Sequence, residues 1–350
     1  MKIDATEFLI NSEILQIIAE IEEFKGAWQL LGKLNPERLQ ALKHVATVES
    51  VGSSTRIEGS KLSDQEVEAL LARIGVQTFQ SRDEQEVAGY GRACEEIFNN
   101  YAAIPLTENY IKQLHKMLLK YSSKDERHRG EYKKHPNHIE AFDASGESVG
   151  VVFATTAPFD TPREMEELIS WTRKAFEEES LHPLLIIGVF IVVFLAIHPF
   201  QDGNGRLSRI MTTLLLLKSG YAYVPYSSLE SVVEENKKGY YLALRRTQGT
   251  LKKDRIDWNP WLLFFLRSLQ QQKRRLEKKV AKEKIMQASL SRLSLRIMEL
   301  IQEHGQVSMN DMIRVTGASR STLKLQLGKL VKENYLKRHG QGRTTWYTLS

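Results

Sequence analysis

Residues 184–209 join a long apolar run directly to a dense polar segment, and this junction constrains the fold more than any other stretch. Leu184 to Ile197 is an unbroken run of fourteen apolar or glycine residues. The run is shorter than the roughly 20 residues that cross a bilayer, so it predicts a buried helix. The next twelve residues, His198 to Arg209, read HPFQDGNGRLSR. The predicted helix therefore delivers polar groups to the end of a hydrophobic core, where they must pair with each other or with a ligand.

The polar segment has the features of an anion site at the start of a second helix. Asp202-Gly203 and Asn204-Gly205 are turn signals, and glycine at positive φ lets successive N–H groups point into one concavity. A helix that begins near Asn204 would direct its free amides and positive dipole end to the same point. Arg206 and Arg209 are three apart and share a helix face. Two guanidinium groups on one face suit a polyphosphate better than a single carboxylate.

Two other side chains of the segment predict its chemistry. Asp202 at the rim is suited to a hard cation, and Mg²⁺ that bridges phosphate oxygens is the usual case. His198 titrates near neutrality and is suited to take a proton from an attacking hydroxyl. Together they predict Mg-dependent transfer of a phosphate-containing group to an alcohol. Taken singly, each feature also has an ordinary interpretation as a helix-end histidine, a turn or a solvated arginine face.

His198 to Arg209 resembles the Fic-domain signature, His-Pro-Phe-x-Asp/Glu-Gly-Asn-Gly-Arg-x-x-Arg, at every fixed position. The resemblance implies transfer of AMP from ATP to a Ser, Thr or Tyr hydroxyl of a target protein, or of the chain itself, with pyrophosphate as the leaving group. It makes His198 the general base, Asp202 the Mg²⁺ ligand and Phe200 a packing residue. The nucleotide-binding residues that it implies are Gly203, Asn204 and Gly205 at the α-phosphate, Arg206 at the β-phosphate and Arg209 at the γ-phosphate, with Tyr240 and Tyr241 as candidates for the adenine side.

Residues 54–59 resemble the inhibitory helix of Fic proteins, Ser/Thr-x-x-x-Glu-Gly/Asn, through Ser54, Glu58 and Gly59. The alternative interpretation is a helix cap followed by a helix end. By resemblance, Glu58 pairs with Arg209 and takes the place of the γ-phosphate oxygens, which would displace the α-phosphate from in-line attack. The resemblance therefore predicts an autoinhibited enzyme. AMP removal remains an alternative reaction because the same glutamate positions water in some family members, and UTP or CTP remain alternative donors.

The fold class predicted from these features is mainly α: a Fic-type helical core with a small β-hairpin flap, plus a C-terminal winged-helix domain. Val149 to Phe153 reads as a strand, and residues 143–147 read as either a hairpin turn or a surface loop. In Fic proteins a hairpin at this place holds a target segment by strand pairing. Gly130-Glu131-Tyr132 resembles the lead-in to that flap, although Lys133 stands where the family more often has arginine. No role is predicted for Lys133.

The C-terminal part of the chain is basic and has its own helical pattern. Residues 266–350 hold 18 Lys and Arg against 6 Asp and Glu, while the whole chain has a net charge of +6. Residues 291–350 resemble a winged helix, whose third helix would enter a DNA major groove. The outward face predicted for that helix consists of Arg320, Ser321, Thr322, Lys324, Gln326 and Lys329, and the predicted wing carries Lys337, Arg338 and Arg343. Protein docking is the alternative use, and a DNA-binding transcriptional regulator with a nucleotide-sensing Fic-like domain is the alternative function.

The domains predicted from the sequence are an N-terminal helical region with the inhibitory motif (1–100), a Fic catalytic core (101–268), a basic linker helix (269–290) and the winged helix-turn-helix domain (291–350). The N-terminal residues lack the pattern of a signal peptide, and one cysteine excludes an intrachain disulfide. We therefore expect a cytoplasmic protein with no membrane partner. The resemblance also implies a homodimer.

Overall fold

The computed structural model describes residues 10–30, 36–74, 79, 81–142, 148–289, 291–332, 335–340, 342 and 345–349. It divides into two compact units, Met1–Leu276 and Glu277–Ser350. Helices dominate both units, as predicted. In the described part of the chain, no helix is both long and apolar enough to cross a membrane.

Among its described residues, the first unit is helical apart from one hairpin. Its elements in chain order are α1 (Ser12–Leu30), α2 (Pro36–Ile57), α3 (Asp64–Leu71), α4 (Arg82–Asn100), α5 (Glu108–Leu118), β1 (His138–Phe142), β2 (Ser148–Ala154), α6 (Thr161–Glu177), α7 (Pro183–Ile197), α8 (Asn204–Lys218), a 3₁₀ turn (Val224–Tyr226), α9 (Leu229–Glu235), α10 (Lys237–Gln248) and α11 (Asn259–Ser289), within which the boundary between the units falls.

Helix α7 is the predicted apolar helix, and it is buried from Leu184 to Ile197. It packs against α6, α8 and α10. The start of α11 also lies against it: the Trp261 indole N–H donates to the Gly188 carbonyl at 2.7 Å. A Cβ at Gly188 would lie 2.7 Å from Leu262, so glycine is needed for this close approach. Because α7 is held on all sides, the polar segment that follows it begins from a rigid point.

Strands β1 and β2 pair antiparallel, with His138 opposite Ala154 and Phe142 opposite Ser148. The predicted strand at residues 149–153 is thus confirmed as part of β2. The predicted turn at residues 143–147 lies outside the described residues.

The second unit contains α12 (Arg292–His304), β3 (Val307–Ser308), α13 (Met309–Thr316), α14 (Arg320–Lys332), β4 (Leu336–His339) and β5 (Trp346–Leu349). The sheet order is β3-β5-β4, with both pairings antiparallel. Its core includes Ile297, Ile301 and Leu336, and α14 contributes Leu323, Leu327 and Leu330. This arrangement of three helices and a small sheet confirms the predicted winged helix.

Two details of the sequence prediction are corrected by the structure. The basic linker helix predicted at 269–290 is not a separate helix but continues from the catalytic core as part of α11, because no Gly or Pro interrupts residues 261–289. Gln326 does not lie on the outward face of α14. It is half-buried, and its Oε1 accepts a hydrogen bond from Ser294 at 2.8 Å.

Candidate active site

His198 caps the C-terminal end of α7 in a strained conformation. Its φ of 53° and ψ of 61° lie in the left-handed region, which costs a non-glycine residue about 1–2 kcal/mol. Nδ1 lies 3.3 Å from the Leu195 carbonyl. A carbonyl only accepts, so Nδ1 carries the proton and Nε2 keeps its lone pair. Burial lowers the pKa of His198 to about 4. The imidazole is therefore neutral at pH 7, the form that a general base requires.

The loop between α7 and α8 is closed by Asn204 and supported by His115. Asn204 is buried, and its side chain accepts from Phe200 N at 2.9 Å and donates to Phe200 O at 2.8 Å. His115 accepts from Gly130 N at 2.9 Å and donates to Asp202 O at 3.0 Å, and its ring stacks on Phe200 with centroids 3.8 Å apart. Both polar atoms of the Asn204 side chain thus bond within the loop, and its backbone amide remains for a phosphate.

The N-terminus of α8 directs several backbone amides to one point. Gly203 precedes the helix with a φ of 79°, a conformation that glycine adopts without strain. The first hydrogen bond of the helix runs from Leu207 N to Gly203 O at 2.9 Å. The amides of Asn204, Gly205 and Arg206 precede this ladder and, with the helix dipole, form an anion site.

Arg206 is a buried cation held by two carboxylates. Its side chain is 2% exposed, and its terminal nitrogens lie 3.4 Å from Glu86 Oε2 and 3.4 Å from Asp202 Oδ1. Arg82 lies on the other side of this network, with Nε 2.7 Å from Glu86 Oε1 and a terminal nitrogen 3.8 Å from Asp202 Oδ2. In the Arg206 guanidinium, Nε and Nη1 have no hydrogen-bond partner. Arg206 is therefore positioned and charged but still has donors for an anion.

Arg209, one helical turn further along α8, is held by the end of α2. Nε donates to Ser54 Oγ at 2.8 Å, and Nη2 donates to the Ser54 carbonyl at 2.9 Å and to Glu58 Oε1 at 2.7 Å. Burial raises the pKa of Glu58, but the charge of Arg209 lowers it more, and the result is below the usual value. Glu58 is thus a carboxylate at neutral pH, and its negative charge lies where the N-terminus of α8 would bind another anion.

Glu58 is the first residue after the C-terminal end of α2. Ser54 lies within the helix and is fully buried, so the alternative interpretation of this serine as a helix cap is wrong. Gly59 then turns the chain with a φ of 107°. A Cβ at Gly205 would lie 2.2 Å from Glu58 Oε1. Glycine at position 205 therefore leaves room for the Glu58 carboxylate against α8.

Asp202 has a carboxylate suited to a cation that is shared with a phosphate. The side chain is 36% exposed, and Oδ1 accepts from Gly203 N at 2.6 Å. Burial raises the pKa of Asp202, but the charge of Arg206 and other contacts lower it more. The pKa of Asp202 therefore lies below its usual value. The described residues contain no group of three metal-ligating side chains. The Asp202 carboxylate is therefore the group of this segment that would contact a hard cation brought in with substrate phosphates.

Tyr240 and Tyr241 lie on α10, and only one of them is accessible. Tyr240 is 5% exposed and packs against Trp261 and Phe264 with ring centroids 5.8 Å away. Burial raises its pKa to about 12. Tyr241 is 37% exposed and contacts the edge of Tyr240. Tyr240 is thus buried beside Arg209, while Tyr241 presents its ring to solvent, and the placement of either at the adenine side stays a prediction.

The structure gives a place in the site to residues for which the sequence analysis predicted no role. Glu86, His115 and Lys133 are buried polar residues that contact the signature segment from α4, α5 and the loop before β1. His115 lies on the buried face of α5 with Ile111 and Leu118, and Glu86 lies in the buried part of α4 one turn after Arg82. A polar residue on a buried helix face is a usable signal, because its burial requires a partner. The local pattern offers Arg82, four residues before Glu86, but it does not identify Arg206.

Known protein families match two parts of the chain. The model of the Fic/DOC family matches residues 105–216, and a model described as winged helix-turn-helix DNA-binding matches residues 290–337. The chain is 29% identical over 99 residues to a probable protein adenylyltransferase of Aquifex aeolicus, which covers 28% of each chain. It is 24% identical over 227 residues to the protein adenylyltransferase Fic of Drosophila mojavensis, covering 62% of this chain and 42% of the relative. The match thus spans less than half the length of these relatives.

Solved structures show the same fold. A crystal structure of a Fic family protein from Desulfovibrio desulfuricans G20 superposes with a TM-score of 0.62 at 22% identity, and the match covers 98% of both chains. The family models match the signature segment and the three-helix C-terminal unit separately. Residues 105–216 of the chain thus match the Fic/DOC family, and residues 290–337 match a winged helix-turn-helix domain.

Proposed function

We propose that this chain is a protein adenylyltransferase whose resting state is inhibited by Glu58. The observation that carries the proposal is the arrangement at the start of α8: a neutral imidazole, free backbone amides and two buried arginines lie on one short segment, and a carboxylate from α2 occupies one of the arginines. The adenylyltransferase names of the relatives support the same reaction class.

In the proposed reaction, a hydroxyl oxygen of the target attacks the α-phosphorus of ATP. The bond from that phosphorus to the bridging oxygen of pyrophosphate breaks, and the hydroxyl proton moves to His198 Nε2. The amides of Asn204 and Gly205 would hold the α-phosphate oxygens, and Arg206 and Arg209 would contact the phosphates that leave. Negative charge moves toward these guanidinium groups in the transition state, and preset donors at that position lower the barrier. Mg²⁺ bound at Asp202 would supply further neutralisation of phosphate charge.

Glu58 opposes this reaction by charge and by position. Its carboxylate is bonded to the guanidinium that would hold the outermost phosphate, and it lies against Gly205 at the anion site. ATP would have to bind with its phosphates displaced, so the α-phosphorus would not be in line with the target hydroxyl. The ion pair is thus compatible with nucleotide binding but not with transfer.

The test is incorporation of labelled AMP from α-labelled ATP with Mg²⁺, into the chain itself and into lysate proteins, for wild type and Glu58→Gly. We expect Glu58→Gly to raise the rate about 10²-fold, which is the contribution of one charged donor at a transition state. His198→Ala in the Glu58→Gly background should lose about 10²–10⁴-fold, the usual contribution of a general base. Absence of incorporation in Glu58→Gly contradicts the enzymatic proposal, and equal incorporation by wild type and Glu58→Gly contradicts the inhibitory role.

A second proposed function is DNA binding by the C-terminal unit. On α14, Arg320, Lys324 and Lys329 are exposed, while the opposite face forms the core. Lys337 and Arg338 are exposed on β4; Arg343 of the predicted wing lies outside the described residues. Exposed cations on a third helix and on a neighbouring strand suit the phosphates of a duplex.

The test of this second function is duplex binding by the full chain at several salt concentrations. Each phosphate contact contributes about −0.9 to the slope of log K against log salt. Arg320→Ala should therefore weaken binding and reduce the slope by about one contact, whereas Lys252→Ala, at an exposed lysine of the first unit, should change neither. Absence of binding at low salt would favour protein docking by this unit.

A further inference from the structure

Lys133 is a buried ammonium at the point where the hairpin and the signature segment meet. Its side chain is 4% exposed, and Nζ donates to Asn137 Oδ1 at 2.8 Å, to Thr155 Oγ1 at 2.9 Å and to the Ile197 carbonyl at 2.9 Å. The three donors of an ammonium group are thereby all used. A lysine with three geometric partners in a buried site is held in one conformation.

The partners of Lys133 mark both ends of the β1–β2 hairpin. Asn137 immediately precedes β1, and Thr155 immediately follows β2. Thr155 Oγ1 lies 2.7 Å from both Asn137 O and Asn137 Oδ1, so the two ends are also joined to each other. The base of the hairpin is thus fixed at a single point.

The same lysine is bonded on both sides of His198. Nζ donates to the carbonyl of Ile197, and the backbone N–H of Lys133 donates to the carbonyl of Pro199 at 2.8 Å. Asn137 Nδ2 adds a third bond, to Phe200 O at 2.8 Å. A left-handed, non-glycine residue such as His198 persists only where its surroundings over-determine the backbone. These three bonds constrain the backbone around His198.

We infer that Lys133 is a positioning residue that locks the base of the β1–β2 hairpin onto the backbone on both sides of His198, so that the hairpin and the base keep one relative position. The inference rests on the proposed function and deepens it. If the hairpin holds the target segment, this lock aligns the target hydroxyl with His198 Nε2. A misplacement of about 1 Å between reacting groups can cost about 10²-fold in rate.

The charge of Lys133 also acts on the imidazole. The charged groups that influence His198 are Lys133, Glu58 and Asp202: the ammonium opposes protonation, and the two carboxylates favour it. Burial lowers the pKa of Lys133 to about 8, and Glu164 is the carboxylate that opposes this shift. Near pH 7 and below, the lysine is therefore charged and helps to keep the base neutral.

The kinetic test uses the full chain in the Glu58→Gly background, with self-incorporation of labelled AMP as the assay. Lys133→Met removes the ammonium at similar length, and Thr155→Val removes one of its acceptors at constant shape. Thr156→Val is the matched control, because the Thr156 hydroxyl bonds Glu164 at 2.6 Å and not Lys133. We expect the first two variants to lower kcat about 10²-fold and to leave KM for ATP within about twofold, because neither residue contacts α8. Thr156→Val should retain the parent kcat.

A second measurement does not depend on turnover. The pKa of His198 is followed by NMR of its ring proton in wild type, Lys133→Met and Lys133→Arg. Loss of the ammonium should raise that pKa, and arginine, which keeps the cation, should restore it toward wild type. Lys133→Met with unchanged kcat, or with an unchanged His198 pKa, overturns the inference, as does an equal loss of kcat in Thr155→Val and Thr156→Val. If the Glu58→Gly parent incorporates no AMP, the proposed reaction fails while the titration still tests Lys133.

Discussion

At the scale of single residues, the candidate site contains buried charged groups that are paired with opposite charges but keep some hydrogen-bond donors for a ligand. Arg206 is the clearest case. It lies within 3.4 Å of Glu86 and of Asp202, yet two of its nitrogens have no hydrogen-bond partner. An isolated buried guanidinium would be very costly, and a fully bonded one would have nothing to offer a phosphate. The two carboxylates compensate the charge of Arg206, and Nε and Nη1 of its guanidinium keep N–H donors for a phosphate.

Glu86→Gln tests this pairing through stability. Both members of the Arg206–Glu86 pair are over 90% buried, and removing one partner of a buried pair costs about 3–5 kcal/mol because the other charge is left uncompensated. We expect a loss toward the lower end of that range, since Asp202 remains near Arg206. The measurement is the free energy of unfolding in urea. Glu95→Gln is the matched control on the same helix, because Glu95 pairs with Arg92 in an exposed position. Equal losses of unfolding free energy in Glu86→Gln and Glu95→Gln would show that the buried pair contributes no more to stability than the exposed one.

At the scale of elements, the position of the C-terminal end of α2 determines where Glu58 lies, because α2 ends one residue before it. Arg56, two residues before Glu58, makes a two-pronged contact with Glu234 of α9, at 2.8 Å from Nε and 3.1 Å from Nη2. Its Nη1 also donates to Leu62 O at 3.0 Å and to Asp64 at 2.9 Å. Arg56 thus fixes the end of α2 to α9 and to the segment that leads into α3. Glu58, two residues further along the chain, contacts Arg209.

Arg56→Ala should therefore weaken the inhibition without touching the nucleotide site. We expect AMP incorporation to rise part of the way toward the Glu58→Gly level, because the released end of α2 samples positions in which Glu58 leaves Arg209. In the Glu58→Gly background the same substitution should add nothing, since the inhibiting carboxylate is already absent. Arg92→Ala, on the exposed face of α4, serves as the control. Incorporation at the wild-type level in Arg56→Ala would show that α2 is held by its packing alone.

The elements also show which parts of the site a sequence can predict. The ends of α7 and the start of α8 follow from an unbroken apolar run and from Asp-Gly and Asn-Gly steps, and the structure places them within a residue of the prediction. Ser63 and Glu66 form a complete capping box at the start of α3, and the spacing of these two residue types is itself a sequence signal for a helix start. These are local signals. The contacts of Glu86 with Arg206 and of Lys133 with Ile197 join residues more than sixty positions apart, and neither charge nor spacing along the chain identifies such partners.

The Asn204 side chain shows a different limit of sequence analysis. An asparagine between two glycines at a helix start suggests a phosphate ligand, but its side chain closes the loop by bonding both the N–H and the carbonyl of Phe200. Asparagine commonly bonds nearby backbone groups in turns, so the two roles are equally compatible with the residue type. Only the geometry decides between them.

At the scale of the whole molecule, the two units have separate cores. The core of the second unit is formed entirely by residues from α12 onward, including Leu327, which is 1% exposed. A core of this size supplies limited stability, since a small domain buries a smaller fraction of its surface. A substitution in this core should therefore destabilise the second unit first. The hydrogen bonds described for His198 and Arg209 are made to residues of the first unit.

Leu327→Ala separates the two proposed functions. Truncating a buried leucine costs about 2–5 kcal/mol through lost burial and the cavity left behind, so the second unit should unfold at lower urea and duplex binding should weaken. Leu325→Ala, two residues away on the same helix, removes a side chain that is 72% exposed and should change stability little. In the Glu58→Gly background, both variants should incorporate AMP at the parent rate, because the hydrogen bonds described for His198 and Arg209 are made to residues of the first unit. A parallel loss of AMP incorporation in Leu327→Ala alone would mean that the folded second unit is required by the active site, and the two functions would then have to be treated as one.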